Sequence, residues 1–298
     1  MQPPFASYEM IRDQLQQEYA VQEVDLSEGV VPEEVNVLVL IAPQNLTDKE
    51  RFAVDQFLMR GGSLVVATSP YTVEPEPFTG SLTAKAVSGG VREMLKHYGV
   101  TVGDRLVMDM QSAPFPLPVE RNVGGFIVRE IRAMAYPFFV DVQREGMERS
   151  SPIVANLPVV TLPWAAPVEL DEAANANREA HVILRSSERA WLHEGSNIQP
   201  NLSAYPELGF PVGTEQRSYP LAVAVRGSFE SYFKGKTPPF QREDSAEESE
   251  DGAQPSERGA GSPGAGCDRV QPGHCAASSD RLLGVPERLH PTPDGSAH

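Results

Sequence analysis

The feature that most limits what this chain can fold into is a strand, helix, strand pattern over residues 35–71. Residues 35–42 and 64–68 are almost unbroken apolar runs of strand length. Such runs are typical of parallel strands that are covered on both faces. The pattern therefore predicts two neighbouring strands that are both buried.

The segment between the two runs has the marks of a helix. Thr47 and Glu50 have the spacing of a capping box, and Val54 and Phe57 fall on one helical face. The pair Gly61-Gly62 follows and offers the left-handed residue with which many helices end. The segment is about as long as a parallel crossover requires, so residues 35–71 predict a right-handed βαβ unit.

The flanking residues extend this alternation. We expect helices at residues 8–19, with Ser7 as the N-cap, and at 89–98, strands at 21–26 and 100–109, and a loop at 72–80. This order predicts an α/β fold with a flavodoxin-like or glutamine-amidotransferase-like three-layer sheet. Such a fold normally begins with a strand, and none precedes Met1, so we expect the α/β domain, residues 1–111, to lack its first strand.

From residue 112 the pattern changes. Prolines interrupt residues 112–118, and short strand candidates then follow at 125–131, 138–142, 158–162, 180–185 and 221–225. Gly124-Gly125 is interpreted as a turn. Residues 112–240 are therefore predicted to be a β-rich continuation or a second subdomain.

The last part of the chain has no globular pattern. Residues 241–298 are first acidic and then rich in Gly, Pro and Ser, and they predict a disordered tail. The abrupt change in composition near residue 250 favours a frameshift as its origin. Both cysteines, Cys267 and Cys275, lie in this tail.

Composition limits the partners of the chain. The 25 basic and 41 acidic residues give a formal charge of -16, which argues against broad contact with nucleic acid or an anionic membrane surface. No apolar run reaches the roughly 20 residues of a membrane helix. Taken alone, the sequence indicates a soluble protein.

Candidate ligand contacts follow the second strand. Ser69, Tyr71 and Glu74 lie where ligands usually bind in an open α/β sheet, although Ser-Pro after a strand is also ordinary turn chemistry. Trp164, which lies between prolines in the sequence, is either a core residue or an anchor for a partner or ligand.

We find no catalytic constellation in the sequence. Residues 1–266 contain no cysteine nucleophile, the serines lack a Gly-x-Ser-x-Gly elbow, and the glycine pairs lack the lysine of a phosphate loop. The histidines are not spaced as metal ligands, and carboxylates such as Asp104 and Asp109 beside strand ends are usually capping or solvated. We therefore predict a protein that is not an enzyme, with no cofactor and no metal.

Short motifs in a fixed order point to a known family. The motifs are Asp55-Gln-Phe-Leu-Met-Arg-Gly-Gly-Ser-Leu-Val-Val-Ala with Ser69-Pro70, Leu95-Lys-His-Tyr-Gly99, Tyr136-Pro-Phe-Phe139, Ser151-Pro-Ile153, Leu162-Pro-Trp-Ala165, Tyr219-Pro-Leu-Ala-Val223 and Ser231-Tyr-Phe-Lys-Gly235. In these motifs, over roughly residues 5–240, the chain resembles the GldG-like auxiliary components of ABC-type transport systems, which in some bacteria are linked to gliding motility.

The resemblance implies a transport role. It implies a non-catalytic or substrate-binding-like subunit on the extracytoplasmic (periplasmic) side of the bacterial inner membrane, with an ABC permease and an ATPase as partners. Relatives are held by membrane anchors that this chain lacks, which favours a fragment of a longer protein. A hydrolase or amidotransferase relative, and a truncated fragment without function, remain as alternatives.

Overall fold

The protein is described here from a computed structural model that places residues 8–76, 81–87 and 90–239. It is a mixed α/β structure with many strands and few helices. The helices are α1 (Glu9–Gln16), α2 (Asp48–Met59) and α3 (Val91–His97). The strands are β1 (Val37–Ile41), β2 (Ser63–Ala67), β3 (Tyr71–Pro75), β4 (Leu82–Ala86), β5 (Val100–Val102), β6 (Leu106–Asp109), β7 (Ser112–Val123), β8 (Phe126–Gln143), β9 (Val159–Pro163), β10 (Val168–Leu170), β11 (Glu179–Arg185), β12 (Ala190–His193) and β13 (Pro220–Arg226).

The βαβ unit is confirmed. β1 and β2 pair in parallel, and α2 connects them. The backbone N–H of Glu50 donates to the Thr47 hydroxyl at 3.3 Å, and the backbone N–H of Thr47 donates to the Glu50 carboxylate at 2.7 Å, so the capping box is complete. Val54 and Phe57 are buried on the inner face of α2, and Gly61 has a φ of 94° after the helix.

The other pairings are antiparallel. β3 pairs with β4, β5 with β10, β6 with β12 and β11 with β13, while β7, β8 and β9 form one sheet. Two strands before residue 111, β5 and β6, thus pair with strands after residue 160, which are β10 and β12. The larger flavodoxin-like or amidotransferase-like sheet stays a prediction, as does the division at residue 111.

Two expectations before residue 112 were wrong. Residues 21–26 form no strand, because Val24 and Leu26 instead pack against the cluster around α2 without a backbone partner strand. Residues 72–75 are not loop but part of β3, since Tyr71 and Val73 pack against a buried cluster while β4 supplies the backbone partner. The expected strand at 100–109 is divided into β5 and β6.

The prolines of residues 112–118 do not interrupt the structure either. They lie within β7, because a strand at the edge of a sheet tolerates proline where its nitrogen faces away from the neighbouring strand. Gly124 and Gly125 form the predicted turn, with φ of 62° and 90°, and connect β7 to β8. The two strands make a long hairpin.

The buried side chains of the described residues form three clusters. The first surrounds Tyr136 and Phe138, the second surrounds Val140 and Leu184, and the third lies between α2, α3 and the βαβ sheet. The helix α1 is confirmed, but none of its residues is buried. Ser7 and the tail at 241–298 lie outside the described residues.

Candidate functional site

Three of the predicted site residues meet where the parallel strands end. The Ser69 hydroxyl, two residues after β2, donates to the backbone carbonyl of Trp164 at 3.0 Å. The same hydroxyl accepts a weaker hydrogen bond from the Tyr71 N–H at 3.4 Å. Tyr71 and Trp164 pack against the same buried cluster. We call Ser69, Tyr71 and Trp164 the carboxyl-edge site.

Trp164 has an uncommon backbone conformation for its residue type. Its φ of 48° lies in the left-handed region, which bulky residues rarely occupy. Two hydrogen bonds hold it there, because its N–H donates to the carbonyl of Phe138 at 2.8 Å and its own carbonyl accepts from Ser69. Strained residues of this kind cluster at functional sites.

The indole of Trp164 is surrounded by aromatic rings but lacks a polar partner. Its centroid lies 4.9 Å from that of Phe139 and 6.4 Å from that of Phe115, and both pairs meet edge to face. Its N–H is buried and makes no hydrogen bond within the described part of the chain. A buried donor without an acceptor is rare in folded proteins and requires an explanation.

Tyr136 lies in the same aromatic cluster. Burial raises the pKa of its hydroxyl, which donates to the carbonyl of Ile198 at 2.8 Å. The Trp164 indole lies near enough to oppose part of this rise in the pKa, yet outside hydrogen-bonding geometry. The Tyr136 phenol is therefore neutral and serves as a fixed donor.

Glu74 does not join the carboxyl-edge site. Alternation along β3 places Glu74 on the face opposite to Tyr71 and Val73. Its carboxylate makes an exposed ion pair with Lys85 at 2.7 Å. Of the four sequence candidates, the structure brings together Ser69, Tyr71 and Trp164.

Sequence reasoning missed a second polar centre, at Asp55. This carboxylate is completely buried, and it accepts hydrogen bonds at 2.7 Å from the Tyr98 hydroxyl, the Ser231 hydroxyl and the Tyr232 N–H. The Gln56 amide donates to it at 2.9 Å. The signals in the sequence were an acidic residue next to the buried position of Val54 in α2 and its place at the start of the first family motif.

Five of the seven motifs quoted above contribute residues to these two centres. Asp55, Tyr98 and Ser231 come from three motifs that are far apart in the chain and meet at one carboxylate. Ser69, Phe139 and Trp164 come from the first motif and two others and meet at the carboxyl edge. The motifs therefore mark tertiary contacts between distant segments.

The carboxylate of Asp109 also has a structural role. It accepts from the backbone N–H groups of Gln111 at 2.8 Å and Ser187 at 2.7 Å, and from the Ser187 hydroxyl at 2.6 Å. It thus caps the end of β6, as carboxylates beside strand ends usually do. Within residues 8–76, 81–87 and 90–239, no three acidic, histidine or cysteine side chains are grouped as metal ligands.

His193 lies beside the aromatic cluster. Its ring meets that of Phe138 edge to face at 5.1 Å, and burial lowers its pKa below the usual 6.5. Its Nε2 atom is buried and has no hydrogen-bond partner among the residues that the structure places. The imidazole is therefore neutral at pH 7, a property that the isolated sequence did not indicate.

A family described as "ABC-type uncharacterized transport system", of auxiliary components, matches residues 2–257. An uncharacterized protein of Borreliella burgdorferi is 21% identical over 220 residues, which is 72% of this chain and 40% of that relative. The chain thus spans less than half the length of this relative. No solved structure matches the chain.

No helix among the residues that the structure describes has the length and apolar character needed to cross a bilayer. The family match covers most of the sequence and agrees with the ordered motifs that meet at Asp55 and at Trp164. The chain therefore belongs to the family of auxiliary components of ABC-type transport systems.

Proposed function

We propose that this chain is a non-catalytic, GldG-like auxiliary domain that binds the permease and ATPase assembly of its transport system or a transported ligand. It acts on the extracytoplasmic side of the bacterial inner membrane. The observation that carries the proposal is the family membership over residues 2–257, which includes all seven motif segments. The carboxyl-edge site is the proposed contact.

The chemistry of the buried polar groups supports a binding role. The Ser69 hydroxyl donates to a carbonyl, whereas a serine nucleophile needs an adjacent base that accepts its proton. The carboxylates of Asp55 and Asp109 are each surrounded by hydrogen-bond donors that tie distant segments together. These groups are used to hold the fold.

Trp164 supports the location of the contact. Tryptophan is enriched among the residues that dominate binding energy at protein interfaces. Here a partly buried tryptophan carries a strained backbone and an indole N–H without an acceptor. A carbonyl or carboxylate of a partner or ligand would satisfy that donor.

The proposal is tested by capture of the transport complex. The full chain, tagged and co-expressed with the ABC permease and ATPase of the same system, should retain both after detergent extraction of the membranes. Trp164→Phe keeps an aromatic ring but removes the indole N–H, so it should weaken retention without unfolding the domain. Tyr205→Phe, a conservative change at an exposed aromatic residue, is the control.

Three results would count against the proposal. Failure of the unaltered chain to retain either subunit would overturn the transport contact. Equal retention by Trp164→Phe and the unaltered chain would remove the carboxyl-edge site from that contact. Turnover in a broad hydrolase screen, abolished by Ser69→Ala, would overturn the non-catalytic role and favour the hydrolase alternative.

A further inference from the structure

The hairpin of β7 and β8 has an edge that no other strand of the described part of the chain covers. β8 pairs with β9 only over residues 139–143. Among the described residues, no strand pairs with the outer edge of β8 over residues 126–135. We call residues 112–135 the hairpin arm. Its backbone offers unpaired N–H and C=O groups to any extended chain that approaches.

The end of the hairpin arm is also unusually apolar for an exposed structure. Phe126, Ile127 and Ile131 are 77%, 70% and 78% exposed, and Val123 and Val128 are about half exposed. Alternation along β8 places Ile127 and Ile131 on one face and Phe126 and Val128 on the other. Both faces therefore present apolar side chains that an interface could bury.

The two edges of the hairpin arm differ. β7 carries Pro114, Pro116 and Pro118 at alternate positions, and a proline in an edge strand lies with its nitrogen toward the free side. The outer edge of β7 thus lacks successive N–H donors and cannot form a regular ladder. β8 has no proline over residues 126–135, so of the two edges of the hairpin arm the β8 edge is the one open to pairing.

The register shows which backbone groups are available. Pro118 lies opposite Ile131, and Pro116 lies opposite Ala133. Opposed residues of an antiparallel pair direct their backbone groups either toward each other or both outward. Since the prolines cannot donate inward, Ile131 and Ala133 direct their N–H and C=O groups to the open edge.

We propose that two copies of this chain associate by antiparallel pairing of their β8 edges, about a two-fold axis at Ile131. In this register Ile131 lies opposite Ile131 of the second copy, Val128 opposite Met134 and Ile127 opposite Ala135. Position 130, a glutamate, lies opposite position 132, an arginine. Cross-strand apolar and opposite-charge pairs of this kind stabilise sheets.

The charged residues of the hairpin arm favour this register, and they favour a second copy of the chain as the partner. Centring the axis on Arg129, Glu130 or Arg132 instead would place like charges opposite each other. The hairpin arm contains three arginines and two glutamates, so it does not share the excess negative charge of the whole chain, which carries -16. Because only one edge of the hairpin arm is open to pairing, association through the arm closes at two copies.

Cross-linking tests the register directly. In the full chain with Cys267→Ser and Cys275→Ser, Ile131→Cys should form a covalent dimer under mild oxidation, because the two sulfur atoms would face each other across the axis. Val123→Cys, an exposed position on the strand with the blocked edge, should remain monomeric. The same pattern of bands at Val123→Cys and Ile131→Cys would overturn the proposal.

Sedimentation velocity of the full chain without cross-links tests whether dimerisation depends on the β8 edge. Ile131→Pro removes an outward N–H and should weaken dimerisation by about tenfold or more, while Ile131→Thr, which keeps the N–H, should weaken it less. Glu130→Arg should also weaken the dimer, and the exchange Glu130→Arg with Arg132→Glu should restore it.

Other occupants of the edge would be detected in the same experiments. A chain that stays monomeric at every concentration overturns the proposal. If the Ile131→Pro variant then loses retention of the permease, the edge binds that heterologous partner. If it instead loses binding to vesicles of bacterial phospholipids, the arm contacts lipid. A dimer that is insensitive to Ile131→Pro and to charge reversal also overturns the proposed interface.

Discussion

The carboxylate of Asp55 accepts the phenolic hydrogen of Tyr98 at 2.7 Å in the interior between α2 and α3. Burial, followed by the hydrogen bond to Asp55, raises the pKa of Tyr98, so the phenol stays protonated. Ser231 and Tyr232 donate to the same carboxylate. This single side chain thereby ties residues near position 230 to the βαβ unit.

Replacing the Asp55 carboxylate should destabilise the folded protein. Asp55→Asn replaces an acceptor oxygen by an N–H₂ group that faces other donors, so we expect the free energy of unfolding to fall by about 3 kcal/mol. Urea denaturation of the full chain measures this loss. Asp13→Asn, at an exposed carboxylate of α1, should change the stability by less than about 0.5 kcal/mol. A small effect at Asp55 would contradict the structural role.

The pairing of Asp55 with Tyr98 should be visible in a double-mutant cycle. Tyr98→Phe removes one donor and should cost about 1–3 kcal/mol on its own. Because both residues share one hydrogen bond, the loss in the Asp55→Asn/Tyr98→Phe variant should be smaller than the two single losses added together. Strict additivity in urea denaturation would mean that the two side chains do not interact.

Two substitutions at Trp164 should separate the effect of ring packing on the free energy of unfolding from the effect of the indole N–H. Trp164→Ala removes a ring that packs on Phe139 and should lower the free energy of unfolding by about 3–5 kcal/mol. Trp164→Phe keeps much of this packing and loses only an N–H that has no acceptor, so a loss below about 1.5 kcal/mol is expected. Similar losses in both variants, measured by thermal unfolding, would show that the indole N–H stabilises the fold.

His193 should make stability depend on pH. Because burial lowers its pKa in the folded state, the unfolded chain binds a proton between that lowered pKa and 6.5 while the folded chain does not. The contribution of the neutral His193 side chain to the free energy of unfolding is therefore lost as the pH falls below about 6.5. Between about pH 7.5 and about pH 5.5, the urea midpoint should decrease less in His193→Phe than in the unaltered chain.

The control for this measurement is a histidine at the surface. His181 is exposed in β11, so His181→Gln should keep the pH dependence of the unaltered chain. An equal pH dependence in His193→Phe and His181→Gln would show that burial of His193 has no effect on stability.

The capping box should contribute to the βαβ unit. Thr47→Ala removes the hydroxyl that accepts the Glu50 N–H and should cost about 1 kcal/mol. Thr214→Ala, in an exposed loop, should change the stability by less than about 0.5 kcal/mol. Circular dichroism during urea denaturation measures both, and equal midpoints would exclude a stabilising cap.

The sequence alone predicted the features whose causes are local. The capping box needs only Thr47 and Glu50, and the turn at Gly124-Gly125 needs only residues that adopt positive φ. The parallel pairing of β1 and β2 follows from two apolar runs and a connection of suitable length. Each of these depends on residues close together in the chain.

The carboxyl-edge site was predictable only in part. The sequence pointed to Ser69, Tyr71 and Trp164 separately, but their meeting depends on the hydrogen bond from Ser69 to the Trp164 carbonyl, 95 positions away. It also included Glu74, because neither the β3 strand nor the alternation that turns Glu74 outward was recognised. Strand formation there required β4 as a partner.

Tertiary structure alone decided the remaining features. Proline was taken to break residues 112–118, yet β8 provides a neighbour whose ladder does not need the missing N–H groups. Asp55 was unremarkable in sequence because its donors come from Tyr98 and from Ser231, 176 positions away. Local patterns thus determined the helices, caps and turns, whereas burial and long-range pairing decided which polar groups are held inside and which edge stays open.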